Sequence, residues 1–473
     1  MDLHVSLDAP GDRTTRIYLA LRDAILDCRL PGGSRVPATR DLATQLGVAR
    51  GTVTAAYDRL VAEGFLESRT GSGTYVADLE LPTLHGRRRR ARAGAIQPLP
   101  LWGRPGWQPP PPPVDPVHDL SVGVPDPALF PLPVWRRLVS TQLRLARLAE
   151  PTYAAAGHRR LPAQIARHAG LARAVVASAE DVIVTAGAQQ ALDLVARVLV
   201  APGTTVAVED PGYTAVHALL RTHRADLRGV PVDRQGLLVD AIPPGTRMVY
   251  VTPSHQFPTG VAMSMRRRVA LLQWAVRHDA VIVEDDYDSE YRFADRPLEP
   301  LQSLDRDGRV IYVGTFSKSL LPALRVGYVI APRSLQAALR EAKRVTTWEG
   351  DVVTQGALAD FIAEGHHAAH VRRAERVYAR RHAALLAALA GLQEEVELMP
   401  SVAGLHVCVL LRDQARSDAS VVTRAAELGV VVEGLSDRHV DQPPRQGLVI
   451  GIGAISAEAL PDALARLGRA LRE

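Results

Sequence analysis

Apolar and polar positions follow three rhythms along this chain. Over residues 14–28, Ile17, Ala20, Leu21, Ala24, Ile25 and Cys28 recur at the spacing of a helix that buries one face. Pro31, Gly32 and Gly33 break that run. Thr39 sits where a side-chain cap would open a second helix carrying Leu42, Ala43 and Leu46 inward. Gly47 predicts a turn, and Val53, Ala56, Tyr57, Leu60 and Val61 mark the inward face of a third helix that Gly64 ends. FLESRTGSGTYVA, at 65–77, reads as two short strands around a glycine-rich tip. Residues 10–78 are expected to form a compact unit.

The rhythm is lost from 79 to 117. Arg87, Arg88, Arg89 and Arg90 form a basic run, and Pro109 to Pro113 are consecutive prolines, which favour a stiff extended spacer. This stretch reads as a linker, its arginine run either a solvated charge block or an arm that touches DNA.

A third rhythm fills 118–473. DVIVTAG, TTVAVED, RMVYVTP, AVIVEDD and RVIYVGT are short, apolar and β-branched, and longer helical patterns separate them. Strands buried on both faces of a parallel sheet have this look, so a large α/β domain is expected. From about 345 come Ala- and Arg-rich helices, then strands around GLHVCVLL, VVVEG and GLVIGIG, which predict a smaller lobe.

Composition narrows the chemistry. The 473 residues are 47% hydrophobic and 23% charged, the balance of a soluble globular protein. No apolar run is long enough to span a bilayer and no basic-then-apolar leader opens the chain, so a cytosolic protein without a membrane partner is expected. Two cysteines, Cys28 and Cys408, cannot build a disulfide framework or a cysteine metal site. The net charge of +5 is too modest to establish nucleic-acid binding. Of 56 basic side chains only Lys318 and Lys343 are lysines, and arginine cannot act as an amine nucleophile. Lys343 sits in the polar stretch EAKRV and is expected on the surface.

Two patterns carry function. Helix, helix, turn, helix and hairpin is the winged helix-turn-helix order, whose third helix enters the major groove. Arg50 at its start can pair with guanine, Thr52 and Thr54 can reach phosphate or base edges, and Gly71 and Gly73 let the wing approach a groove. The second pattern is TFSKSLLPALRVGY at 315–328. A lysine just past an apolar strand, among Thr315, Ser317 and Arg325, can form a Schiff base with an aldehyde whose phosphate those residues hold. Asp285 and Asp286 end an apolar strand, where a buried carboxylate needs a cation such as a protonated pyridine. VTAGAQQALDL turns from strand to helix, so the amides of Ala188 and Gln189 could cradle phosphate. Tyr213 lies in a turn where it could stack on a flat ring.

RVPATRDLATQLGVARGTVTAAYDRLVAEGFLESRTGSGTYV closely resembles the GntR-family winged helix. That resemblance implies DNA contacts at Arg40, Arg50, Thr52, Thr54, Gly71 and Ser72. Residues 118–473 resemble the fold-type I aminotransferases, which bind pyridoxal 5'-phosphate (PLP). By position this implies Lys318 for the Schiff base, Asp285 for the pyridine nitrogen and Tyr287 for the ring hydroxyl. It implies Arg325 and Thr315 for the phosphate and Tyr213 for ring stacking. Joined by a linker, the two halves look like the MocR subfamily of transcriptional regulators. The implied protein is a PLP-responsive, homodimeric regulator that binds double-stranded operator DNA, with vitamin B6 synthesis genes as targets. The alternatives are a regulator sensing PLP plus an amino compound, and a working aminotransferase with a DNA-binding module. Two departures weigh against turnover: Phe257 stands where aminotransferases have an Asn, and Ala454 where they have a carboxylate-binding arginine.

Overall fold

The computed structural model describes residues 12–69, 71–78, 99–103, 116–144, 158–288, 290–293, 299–401 and 403–473. The arginine run 87–90 and the proline run 109–113 lie outside the described residues. Contacts divide the chain into two units, Met1–Gly103 and Arg104–Glu473.

The first unit contains helices α1 (Arg13–Leu26), α2 (Thr39–Leu46) and α3 (Arg50–Ala62) and the hairpin β1 (Leu66–Arg69) and β2 (Gly73–Val76). Ile17, Leu21, Leu42, Val53, Leu60 and Val76 meet in its core. Thr39 is the first residue of α2 rather than its cap. The Ala38 carbonyl already accepts the Asp41 and Leu42 amides, so the helix starts one residue earlier than the side chains suggested. Val61 is exposed, because the face defined by Val53, Tyr57 and Leu60 turns away from it.

The second unit opens with β3 (His118–Asp119) and helix α4 (Leu132–Gln142). Its strands β4 (Val182–Thr185), β5 (Thr205–Asp210), β6 (Asp226–Asp233), β7 (Gly236–Leu237), β8 (Met248–Val251), β9 (Val281–Asp286), β10 (Val310–Thr315) and β11 (Gly327–Ile330) form one sheet. The order across it is β4-β11-β10-β9-β8-β5-β6-β7. Apolar layers cover both faces. Ile183 packs with Leu194, Val208 and Val313 on one side, while Val182 and Val184 pack with Trp135, Ile165 and Phe361 on the other. Burial on both faces is why these strands read as unbroken apolar runs.

The sheet is mixed rather than parallel throughout. β11 runs antiparallel to both β10 and β4. Only residues 316–326 separate β10 from β11, too few for a helical crossover, so the chain reverses and returns beside itself.

The smaller lobe has strands β12 (Val396–Leu398), β13 (His406–Leu411), β14 (Val430–Val431), β15 (Glu433–Gly434) and β16 (Gly447–Gly451). Four of them form a sheet in the order β12-β13-β16-β15, and β14 pairs in parallel with β3. The helix His366–Leu389 packs its Leu385 and Leu389 against this lobe. Among the described residues no helix is long and apolar enough to cross a membrane.

Candidate cofactor pocket and nucleic-acid interface

Strand register assembles one end of the pocket. Thr315 of β10, Gly327 of β11 and Thr185 of β4 lie side by side. β4 runs through Ala186 and Gly187 (φ +83°) into the helix Ala188–Leu199, whose first amides, those of Ala188 and Gln189, have no partner in their own helix. A Cβ on Gly327 would lie 2.8 Å from the Gly187 Cα and 3.0 Å from the Ala188 nitrogen, so only glycine lets the two turns close. Arg325 Nη2 donates to the Ala186 carbonyl at 2.9 Å, which lays its guanidinium over Gly187. The Thr315 hydroxyl donates to Ser317 Oγ at 3.1 Å and accepts the Ser317 amide at 3.1 Å. A helix N-terminus, two hydroxyls and an exposed guanidinium make an anion cradle.

The other end is buried and acidic. Asp285, at the end of β9, is 4% exposed. Its Oδ2 accepts the Tyr250 hydroxyl at 2.7 Å, while its Oδ1 is buried without a hydrogen-bond partner. Burial pushes this carboxyl up to about 7, and neighbouring Asp286 adds to the rise. An orphaned acceptor of this kind calls for a cationic donor from a ligand. Lys318 faces the same space. Burial lowers its amine, against the pull of Asp288 and Asp285, and Nζ donates to the Gly123 carbonyl at 2.7 Å. A Cβ on Gly123 would come within 2.4 Å of Nζ. Lys343 is buried rather than on the surface: it lies on the inner face of the helix Arg333–Thr346, one turn beyond Leu339. Its amine points to the Glu349 carbonyl at 3.4 Å, leaving Lys318 as the lysine that faces Asp285.

Aromatic side chains wall the space between the two ends. Tyr213 meets Phe257 edge to face, with ring centres 5.5 Å apart, and Phe257 meets Tyr287 likewise at 6.0 Å. Asp285, Arg325 and Arg438 all act electrostatically on the Tyr213 hydroxyl, which burial pushes up to about 12. The structure thus gathers Lys318, Asp285, Tyr287, Tyr213, Arg325, Thr315, Ser317, Ala188 and Gln189 around one pocket. Ala454 lies beyond β16, half-buried, next to Gly453, whose carbonyl Arg381 holds.

Three further residues belong to this neighbourhood and were not singled out in the sequence. Arg438 lays its guanidinium 5.0 Å from the centre of the Phe257 ring and pairs with Glu433. His255 Nδ1 lies 3.1 Å from Asp288, each side chain 2% exposed, beside Tyr287. Their motifs, SHQFPTG and EDDYDSE, were in view, but nothing in the spacing says the two would meet. Arg438 was one arginine among 54. His255, Asp288 and His406 bring donor atoms within 4.8 Å of one another, as a metal site would. Their nitrogens are already engaged: His255 faces Asp288 and Ser401, and His406 Nε2 faces the Pro258 carbonyl at 3.1 Å.

In the first unit Arg40 and Arg50 are exposed, Arg40 in the first turn of α2 and Arg50 at the start of α3. Arg50 Nε donates to Thr39 Oγ1 at 3.4 Å. Thr52 and Thr54 are half-buried, and the Thr54 hydroxyl donates back to the Arg50 carbonyl at 3.1 Å. Gly71 (φ +76°) and Ser72 form the exposed tip of the hairpin, where Ser72 Oγ and the Tyr75 hydroxyl lie 2.7 Å apart.

Comparison with known proteins fits both halves. Residues 13–76 match the bacterial regulatory proteins of the gntR family, and residues 116–466 match aminotransferase class I and II. A probable rhizopine catabolism regulatory protein, MocR, of Rhizobium meliloti is 39% identical across 97% of this chain and 93% of its own. The pyridoxine biosynthesis regulator PdxR of Corynebacterium glutamicum is 34% identical across 99% of both chains. The regulator TauR of Rhodobacter capsulatus is 34% identical across 98% of both. Among solved structures, Pyrococcus horikoshii kynurenine aminotransferase superposes with a TM-score of 0.71 at 26% identity, covering 76% of this chain and 91% of that one. The fold's cofactor is PLP, and the orphaned Asp285 oxygen, the buried Lys318 amine and the anion cradle fit its ring nitrogen, aldehyde and phosphate. A winged helix fused to a class I and II aminotransferase domain, matched nearly end to end by MocR and PdxR, places this chain in the MocR type of GntR-family transcriptional regulators.

Proposed function

We propose that PLP itself is the effector, that the genes under control serve vitamin B6 synthesis, and that the protein works as a homodimer on double-stranded operator DNA in the cytoplasm. The observation that carries this reading is the pocket: it offers a partner for every polar part of PLP, while Phe257 replaces the Asn of aminotransferases. PLP supplies an aldehyde that condenses with an amine and a ring that draws off electrons. Lys318 provides the amine, and its lowered pKa raises the neutral, nucleophilic fraction. With PLP bound, Asp285 would hold the proton of the ring nitrogen, Tyr287 would meet the ring hydroxyl, and Tyr213 would cover the ring. Arg325, Thr315, Ser317 and the amides of Ala188 and Gln189 take the phosphate. Arg40, Arg50, Thr52, Thr54, Gly71 and Ser72 face the DNA, with two half-sites read by two copies of α3.

PLP can change DNA binding only through a difference in its affinity for the free and the DNA-bound protein. The test is binding of the full-length protein to its own upstream DNA with and without PLP. A PLP-dependent change in affinity supports the proposal; identical binding curves overturn it. A second reading, in which an amino compound joins PLP, is favoured by Arg438 beside Phe257, where an anionic group would find a guanidinium. A PLP response that appears only when an amine is added would select it.

A further inference from the structure

The resemblance to aminotransferases implies an Asn near the ring hydroxyl where this chain has Phe257. Phe257 cannot donate, so Tyr287 is left to do so alone. Its hydroxyl can also turn the other way, and the residues behind it decide which way it points.

Behind Tyr287 lies His255, the two rings stacked at 27° with centres 5.9 Å apart. His255 Nδ1 is 3.1 Å from both oxygens of Asp288 and 3.1 Å from the Tyr287 hydroxyl. Asp288 accepts the Leu405 amide, and His255 holds its carboxyl below the usual range although burial acts to raise it. Facing an ionised carboxylate, Nδ1 carries a hydrogen. Ser401 Oγ lies 3.3 Å from Nε2 and donates to the Ala403 carbonyl at 3.1 Å. The tyrosine oxygen, beside an N–H, is an acceptor on that side, and its own hydrogen must point elsewhere. The cluster is tightly built: a Cβ on Gly404 would lie 2.1 Å from His255 Cε1 and 2.4 Å from Asp288 Oδ2.

We propose that the buried His255–Asp288 pair is a positioning device that turns the Tyr287 hydroxyl hydrogen into the pocket, making Tyr287 an obligate donor to the ring hydroxyl of PLP and replacing the missing Asn. This rests on the PLP reading above. Other titratable groups act on the pair: Asp285 at the end of β9, Glu290, Tyr291 and Arg292 beyond it, Lys318 after β10, His406 on β13 and His382 on the long helix, while Glu209, Asp286 and Asp285 act on Tyr287 and Arg438 on His406.

A donor to the ring oxygen draws charge away from the lysine-bound nitrogen's internal hydrogen bond and so lowers the pH at which that nitrogen releases its proton. That midpoint is read from the visible absorbance of the PLP-loaded, full-length protein. Tyr287→Phe should raise it by about one pH unit. His255→Leu should raise it similarly in the native background and leave it unmoved in the Tyr287→Phe background; Asp288→Asn, which also removes a carboxylate acting on Lys318, should shift it by different amounts in the two backgrounds. Equal shifts in both backgrounds, or none in the native one, would overturn the positioning role while leaving the pocket reading intact. If Tyr287→Phe alone moves nothing, Tyr287 does not meet the ring hydroxyl, and the pocket assignment fails together with the inference.

Discussion

The two units meet their ligands in opposite ways. The winged helix offers Arg40 and Arg50 to solvent, and Arg50 has one long hydrogen bond to Thr39. The pocket fixes Asp285 through Tyr250 and Lys318 through the Gly123 carbonyl, and links Tyr287, His255 and Asp288 in one chain of contacts, with Lys318 and Tyr287 half-buried and the others buried. Exposed contacts of the first kind act nearly independently, so substitutions there should add; buried groups that share partners should not. The first surface can be retuned one residue at a time, whereas the pocket changes as a whole.

The largest test of this contrast is Lys318→Ala. It should abolish the visible absorbance of lysine-bound PLP outright, since Lys343 points to Glu349 and cannot take over. A normal spectrum in the variant would break the assignment. PLP should still bind, more weakly, through the phosphate cradle.

Acid should separate the units next. Burial holds His217 at about 4 and His406 at about 3, so both stay neutral in the folded protein well below the ordinary histidine range. The unfolded chain takes up those protons first. Stability from this source is complete above about pH 6.5 and falls as the pH drops toward 4, by about 1.4 kcal/mol per pH unit for each histidine. Residues 12–78 contain neither histidine nor tryptophan. Burial also pushes Glu209, Glu284, Asp285 and Glu290 of the same unit up to about 7, and their protonation opposes the histidines as the pH falls. The histidine contribution is therefore read by difference: His217→Phe should make the stability of the second unit fall less toward pH 4 than in the native chain, and an unchanged acid profile in denaturant titrations would contradict the contrast.

Smaller effects belong to the DNA face. Arg50→Ala should cost about 1–3 kcal/mol on the preferred operator and relax preference at one base pair. Arg40→Ala, as a phosphate contact, should weaken all DNA alike and reduce the salt slope of binding by about one. Filter or fluorescence titrations at several salt concentrations distinguish the two, and unchanged affinity in both variants would mean that this face does not meet DNA.

These differences also explain what could be read in advance. The helices of the first unit announced themselves because one face is apolar and the other polar, a local pattern. The strands of the large sheet were legible because both faces are covered. The direction of β11 was not, since a four-residue apolar run looks the same whichever way it lies. Lys343 was misplaced because its polar neighbours in EAKRV lie on the opposite face of its helix from the side that buries it. Lys318 and Asp285 stood out as chemistry-bearing residues at strand ends, whereas Tyr287 entered only through the family resemblance. His255 and Asp288 become partners only when the loop after β8 and the end of β9 are folded side by side, information that is not local to either segment.

The pocket draws its groups from stretches around 186–189, 213, 285–287 and 315–325, which lie up to about 140 residues apart in the chain. No single strand or hairpin can hold the ligand, so affinity exists only once the whole sheet is complete. PLP at a hundredfold excess over its dissociation constant should then add about 2.7 kcal/mol to the unfolding free energy of the second unit. The expected consequence is that PLP supply sets how long the folded second unit survives, which thermal melts with and without PLP would measure.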